Sequence, residues 1–394
     1  MLMKTLLFTL LVLTSQLSAI TLDSLVASAL QKAPSLEVIM AKIEANKQSI
    51  DVANQFNNPE LLITTNTLDS SQAMSQTIFT LKQKIQYYDK RDTKQQVALA
   101  DEAILQEQLH LAQAMLVQRI KTEVYGLWEL EALKKITQDY VVLTKQNIDL
   151  YESYTSVSSN QHMGIMKAEL SLSNLKIELS QLNAQIAAVY ARLSYLASQK
   201  VSYVDITLTI GVKPDLLKLQ KGLDNSIEVA IKEKELLKQN AKIVVADSNN
   251  YPDVNLLVGY SYRENFDNYF NVGVGLSLPI YGTEDAAEEE QRALGLGFVS
   301  QKEDTLIAVD ATLQEYYAQM LSAFDIYHIV QDDALKQLEH MQELSNASIS
   351  TGADLFQYID VLFLKLALEK KSINAISNYN KAQAKISQLS GALQ

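Results

Sequence analysis

Residues 89–157 read DKRDTKQQVALADEAILQEQLHLAQAMLVQRIKTEVYGLWELEALKKITQDYVVLTKQNIDLYESYTSV, and this stretch decides the fold. No proline occurs between Pro59 and Pro214, so nothing breaks the helical signal that runs through it. At 1.5 Å per residue such a helix spans about 100 Å, a length for which a globular domain has no use. Its apolar period has steps of three and four: Leu133, Ile136, Tyr140, Leu143, Asn147, Leu150, Tyr154 and Val157. Ala168, Leu172, Leu175, Leu179, Leu182, Ile186, Val189, Leu193 and Leu196 repeat the same spacing. These are coiled-coil seams, and the break at Ser158-Ser159-Asn160 with Gly164 makes them the two arms of a helical hairpin.

Composition agrees. The 394 residues contain 12 Gly and 5 Pro, about 4% together against roughly 12% in average proteins. A β-sandwich or doubly wound domain of this size needs more turn residues than that. With 34 basic against 46 acidic residues and a net charge of −12, the chain lacks the basic stripe of a general nucleic-acid binder. It has no cysteine, which excludes disulfides, thiolate metal sites, thiol catalysis and a lipid-modified cysteine. Residues 1–19 have Lys4, an apolar run from Leu6 to Leu13 and Leu17-Ser18-Ala19 before Ile20. That pattern predicts a cleaved secretory signal peptide. No run of 18 apolar residues follows, so a mature chain that sits in a membrane must do so as a β-barrel.

Working outward from the long helix, residues 22–57 read as helix, with Pro34 near its start or between two shorter helices. Asn57-Asn58-Pro59 stops it. Strand-like segments at 60–67 and 75–86 follow, then the long helix at 89–157 and a helix at 165–199. After a connector at 200–222 the order recurs from residue 223. A helix ends at Asn249-Asn250-Tyr251-Pro252, strands follow at 253–263 and 269–280, a long helix at 284–350 and a last helix at 354–390. The second long helix has its own seam: Leu306, Val309, Leu313, Tyr316, Met320, Ala323, Tyr327, Val330, Ala334, Gln337, Met341 and Leu344. The chain is thus an internal duplication, 20–199 and 223–394, read from element order. The expected fold class is mainly α with a small β part.

The strands alternate. Val272, Val274, Leu276, Leu278 and Ile280 face one way, and Asn271, Gly273, Gly275 and Ser277 the other. An apolar face against small and polar residues suits a sheet with lipid outside and water inside. Four strands cannot close a useful barrel, so closure requires several copies.

On these features the chain resembles the TolC-type outer membrane efflux protein family. Tyr154 with Gly164 and Lys167-Ala168-Glu169-Leu170 is similar to that family's first periplasmic tip. Thr351-Gly352 followed by Asp360-Val361-Leu362 is similar to the second. Leu278-Pro279-Ile280-Tyr281 and Asp89-Lys90-Arg91 resemble the strand-to-helix junctions. The resemblance implies a homotrimer with a twelve-stranded barrel in outer membrane lipid and a twelve-helix periplasmic tunnel. It implies the exit duct of a tripartite efflux system in a Gram-negative cell, fed by an adaptor (membrane fusion protein) and an inner-membrane pump of RND or ABC type. The cargo would be small molecules, drugs or metal ions. The alternatives are a duct for type I protein secretion and a periplasmic coiled-coil adaptor. The adaptor-docking residues it implies are Ser159, Gly164, Lys167, Thr351, Gly352 and Asp354. Asp360 matches an entrance constriction, although its spacing from Gly352 is two residues longer than the family pattern. The lipid face would comprise Val272, Val274, Leu276 and Leu278.

No enzyme signature competes. The four histidines fall in no HExxH or triad spacing. His162, Met163 and Met166 suit a soft metal, but read more simply as an exposed tip, and no cofactor is expected. The basic set Lys82, Lys84, Lys90, Arg91 and Lys94 and the acidic set Glu284, Asp285, Glu288, Glu289 and Glu290 are expected to meet between repeats around a ring.

Overall fold

The computed structural model describes residues 20–391 except 68, 70, 73, 88, 155–158 and 350–354. The signal sequence 1–19, and Thr351, Gly352 and Asp354 of the expected second tip, lie outside the described residues.

Ile20–Thr21 (β1) leads into Leu22–Lys32 (α1) and Pro34–Ala53 (α2). Ala33 is extended and Pro34 takes the first helical position, where its missing N–H costs nothing. Glu60–Thr65 (β2) and Gln76–Ile85 (β3) precede Lys90–Tyr154 (α3) and Ser159–Leu196 (α4). Val204–Asp205 (β4), Leu216–Lys221 (α5) and a 3-10 turn at Gly222–Asn225 make up the connector. Ile227–Ser248 (α6), Val254–Arg263 (β5), Tyr269–Leu276 (β6) and Thr283–His328 (α7) follow. A π-helical turn at Ile329–Ala334 joins α7 to Leu335–Ile349 (α8), and Leu355–Leu389 (α9) ends the fold. The expected last strand therefore stops at Leu276, so Leu278 and Ile280 lie beyond it.

The chain divides into two compact units, and each draws on both repeats. One contains Arg119–Gly211 and Ala323–Lys381 with the described residues up to Lys32. Its core joins α3, α4 and α9: Tyr140 and Ile148, Ile165, Ala168 and Leu175, and Tyr358, Ile359, Leu362 and Leu366. The Tyr140 hydroxyl donates to Glu369 at 3.0 Å, and Tyr190 of α4 to Glu131 at 2.8 Å. Burial pushes both phenols up, and the neighbouring carboxylates add to it. The α4 seam is buried at Ala168, Leu175, Leu182, Val189 and Leu193, as its period predicts.

The α3 seam departs from expectation. Tyr140 and Asn147 of the expected seam are buried, but so are Thr137 and Thr144 beside it, while Leu150 is exposed. The helix meets two partners, α4 and α9, and the buried stripe centres between them rather than on the leucines. The second long helix departs for another reason. Val309, Leu313, Met320, Ala323 and Val330 are buried as expected, but after the π turn the buried position is Leu338, and Met341 and Leu344 are exposed. A π turn inserts one residue and rotates everything beyond it.

The other unit contains Ala33–Gln118, Val212–Ser322 and residues from Ala382. Ala114, Ile227 and Ile231 are buried against one another, with Leu111 alongside. Gln239 is buried and donates to the Gln291 carbonyl at 2.9 Å. This unit also holds a four-stranded sheet of order β2-β3-β5-β6, antiparallel throughout.

Candidate functional site

The sheet has two unlike faces, set by period-two alternation and a register without slips. Leu61 lies opposite Leu81, Ile63 opposite Phe79, Leu81 opposite Val258 and Phe79 opposite Tyr260. Val258 lies opposite Val272 and Leu256 opposite Val274. Directly paired residues share a face, so these side chains form one continuous apolar surface. It is open to solvent: Val272 is 79% exposed, Val274 66%, Leu276 56% and Leu278 63%. An apolar surface on this scale marks a contact with lipid or another protein. Tyr262, Phe266 and Phe270 are exposed at one end, and Tyr87, Tyr251 and Tyr281 at the other, while Tyr269 shares the face of Ser261. Aromatic girdles at both ends suit the two interfaces of a bilayer. No described helix is long and apolar enough to cross a membrane.

The opposite face carries Glu60, Lys82, Lys84, Asn255, Ser261, Asn271, Gly273 and Gly275, with Leu62, Ile78 and Leu257 among them. Lys82 pairs with Glu60 at 3.2 Å across the β2–β3 ladder. A Cβ at Gly259 would meet the end of the exposed Asn271 side chain, which would have to turn aside. The edge strands β2 and β6 each have one ladder partner in the chain. Open edges of this kind invite further strands.

A buried charge cluster fixes the sheet to the helices that flank it. Lys90 starts α3, Asp253 precedes β5, and both are more than nine-tenths buried. Lys90 Nζ donates to Asp253 Oδ1 at 2.9 Å and to the Tyr251 carbonyl at 2.6 Å. Lys84 approaches Asp253 Oδ2 at 3.0 Å, and the Tyr87 N–H donates to Oδ1 at 3.3 Å. Burial opposes ionisation of Asp253, but Lys90, Lys84 and the Tyr87 N–H outweigh it and hold the carboxyl below its usual range. Ser277 closes the other side: its Oγ accepts from the Asp253 N–H at 2.9 Å.

This cluster changes the reading of the basic set. Lys82, Lys84 and Lys90 find carboxylates within the chain, and Arg91 lies over the Phe56 ring at 3.9 Å and donates to the Asn54 carbonyl. Glu288 is likewise engaged by Arg292. Among the described residues of the single chain, Lys82, Lys84, Lys90 and Glu288 thus pair outside the two sets.

At the tips, Ser159 opens α4 and Gly164 lies within it, buried and helical. The expected reversal at Gly164 is therefore corrected: α4 begins five residues earlier. One glycine costs a helix about 1 kcal/mol relative to alanine, less than abandoning the seam that continues through Ile165 and Ala168. Lys167 pairs with Asp360 of α9 at 2.6 Å. The candidate constriction acid thus has a cation beside it. His162, Met163 and Met166 are exposed on α4. Among the described residues no group of three or more His, Asp or Glu could hold a metal.

No protein-family model and no curated protein matches the sequence. Solved structures do match. The outer-membrane channel OprN aligns with a TM-score of 0.79 at 14% identity, over 94% of this chain and 90% of that one. The outer membrane protein VceC of Vibrio cholerae aligns with a TM-score of 0.77 at 15% identity, over 94% and 96%. The open state of the Neisseria gonorrhoeae MtrE outer membrane channel aligns with a TM-score of 0.78 at 13% identity, over 95% and 89%. OprN and MtrE are channels, not enzymes. Across nearly its whole length, the chain has the fold of the TolC-type outer membrane efflux channels.

Proposed function

We propose that the chain is one subunit of a trimeric outer-membrane duct, the exit channel of a tripartite efflux system. The observation that carries this reading is the sheet: an exposed apolar face, a more polar face opposite, aromatic residues at both ends and an open strand at each edge. Strand directions alternate across its four strands, so β6 of one copy can pair antiparallel with β2 of the next and close a barrel. The channel fold supports a duct role.

Residues 1–19 then direct export and are removed, 20–199 and 223–394 act as the two repeats, and 200–222 joins them. Val272, Val274, Leu276 and Leu278 face lipid. Ser159, Gly164 and Lys167, together with Thr351, Gly352 and Asp354, meet a periplasmic adaptor that links the duct to an inner-membrane pump. Asp360, beside Lys167, contributes little net charge to an entrance. The cargo is a small molecule, drug or metal ion.

Membrane fractionation against outer-membrane markers, followed by single-channel recording in planar bilayers, tests the proposal. Outer-membrane fractionation with stable ion conductance is expected. A soluble periplasmic protein, or a membrane protein without conductance, would remove it.

A further inference from the structure

Two clefts lie along the joint between α3 and α6, and they divide its charges. One borders Lys94 of α3 and Lys242 of α6. The other is a cavity of about 370 Å3 that takes Asp89 and Thr93 from the start of α3 and Val244, Asp247 and Ser248 from the end of α6. Tyr87 and Tyr251 complete it, with their rings stacked at 6.0 Å. Steps of three and four put each helix's contribution on one face.

The place of this cavity follows from the ladder above it. Ile85 and Val254 are the last pair of β3 and β5, and by alternation they share the exposed apolar face. Tyr87 and Tyr251 follow directly below them. Lys90 and Asp253, tied to the polar face through Lys84, line a separate cavity with Ser277. The acidic cavity therefore opens beneath the apolar face, at the level where exposed tyrosines suit a bilayer interface.

Its charge is unbalanced. Neither Asp89 nor Asp247 is in an ion pair among the described residues. Lys90 is taken by Asp253, Arg91 lies over Phe56, and Arg292, which also feels Asp247, is held by Glu288. Asp247 stands in the last turn of α6, where no basic residue balances the carbonyl end. That is the unfavourable helix end for a carboxylate, and a bound cation offsets the cost. Tyrosine rings attract cations through their faces. Two stacked rings make one wall and not a cage, so the carboxylates lead and favour a cation that donates hydrogen bonds.

We propose that this cavity takes the primary ammonium of an ethanolamine-type phospholipid headgroup. Asp89 and Asp247 accept its N–H hydrogen bonds, and Tyr87 and Tyr251 wall its carbon chain. The inference rests on the membrane-embedded sheet proposed above and names a lipid class at its rim. Soluble amines carry the same ammonium, so the test separates the two sources.

The full chain is purified in detergent, and native mass spectrometry counts the lipids it retains from an equimolar mixture of phosphatidylethanolamine and phosphatidylcholine with identical acyl chains. Retention should favour the ethanolamine lipid about tenfold, the worth of one charge-assisted hydrogen bond. It should fall stepwise for the N-methyl and N,N-dimethyl lipids, since each methyl removes a donor. Asp89→Asn with Asp247→Asn should abolish the preference. Equal retention of the two lipids, or a preference that the double variant keeps, overturns the inference. If the double variant does not assemble, the methylation series on the wild type decides alone. Soluble phosphorylethanolamine should not displace the lipid at equal concentration; displacement makes the site one for free amines and overturns the lipid assignment. A chain that reaches the outer membrane but shows no headgroup preference loses only this inference. A chain that fractionates as a soluble protein loses the duct reading as well.

Discussion

Replacing Asp253 with alanine should be the most damaging single change at the base of the sheet. The Lys90 ammonium is held in a nearly dry site by Asp253 Oδ1 at 2.9 Å and the Tyr251 carbonyl at 2.6 Å. Without the carboxylate, a buried cation keeps one neutral acceptor. Breaking a buried pair by removing one partner typically costs about 3–5 kcal/mol. The lost acceptor for the Tyr87 N–H adds about 1 kcal/mol. Lys84 contributes little, because it is 43% exposed and returns to water at a cost of about 0–1 kcal/mol.

The double variant Asp253→Ala with Lys90→Met removes both buried charges and should lose far less than the single change. The coupling energy is then about 2 kcal/mol or more, within the range for residues in direct contact. Denaturant unfolding of detergent-solubilised protein, followed by circular dichroism, measures all four corners of the cycle. An Asp253→Ala cost below about 1 kcal/mol with no coupling would refute the reasoning, since water would then reach the pair freely.

Other expectations follow from particular contacts. Because the Asp253 carboxyl is held below its unfolded value near 3.8, its contribution is fully present above about pH 4 and is lost as pH falls through the lower folded value. The melting-temperature difference between wild type and Asp253→Asn should therefore be constant from pH 7 to pH 5 and shrink below pH 3. Val274→Arg, on the exposed apolar face, should impair membrane assembly by about 2–4 kcal/mol. Gly273→Arg is the control on the opposite face, where a Cβ meets only Leu257 at 3.7 Å; equal assembly yields in the two would refute a lipid-facing role. Gly211→Ala puts a methyl 2.5–2.9 Å from the Tyr379 ring and hydroxyl. Tyr379 is buried and cannot yield, so a loss of about 1–3 kcal/mol is expected, partly relieved by Tyr379→Leu in thermal unfolding.

Much of this fold is legible in the residues. Breaker scarcity and three-four spacing locate α3, α4 and α7, and strict alternation locates β5 and β6, because local periodicity is what those elements need. What is not legible depends on how many partners an element has. Thr137 and Thr144 sit at the centre of a seam because α3 faces two helices, which no single-helix pattern reveals. Nearly every turn of α9 is buried on several sides, so it lacks a clean stripe. The π turn at Ile329–Ala334 adds a residue without any proline or glycine to mark it, and it displaces Met341 and Leu344 from their expected place. Asp253 was equally hidden, since its partners Lys84 and Lys90 lie more than 160 positions away.

The two stretches 20–199 and 223–394 are best understood through what they do not share. The longest ladder in the sheet, β3 with β5, joins one repeat to the other inside a single chain, and the Lys90–Asp253 pair locks that same joint. The joint between copies would instead use β6 and β2, where no such lock exists in the chain. If both repeats carried the basic junction of the first, or the acidic α7 start of the second, the inner and outer joints would be alike, and half-chains could pair in any order. In the assembly proposed above, that difference would make the joint within the chain stronger than the joint between copies. Specificity of this kind is a difference between competing pairings, not the strength of either one. It fits the engagement of Lys84 and Lys90 within the chain, while Glu284, Asp285 and Glu290 stand at the start of α7, which follows β6.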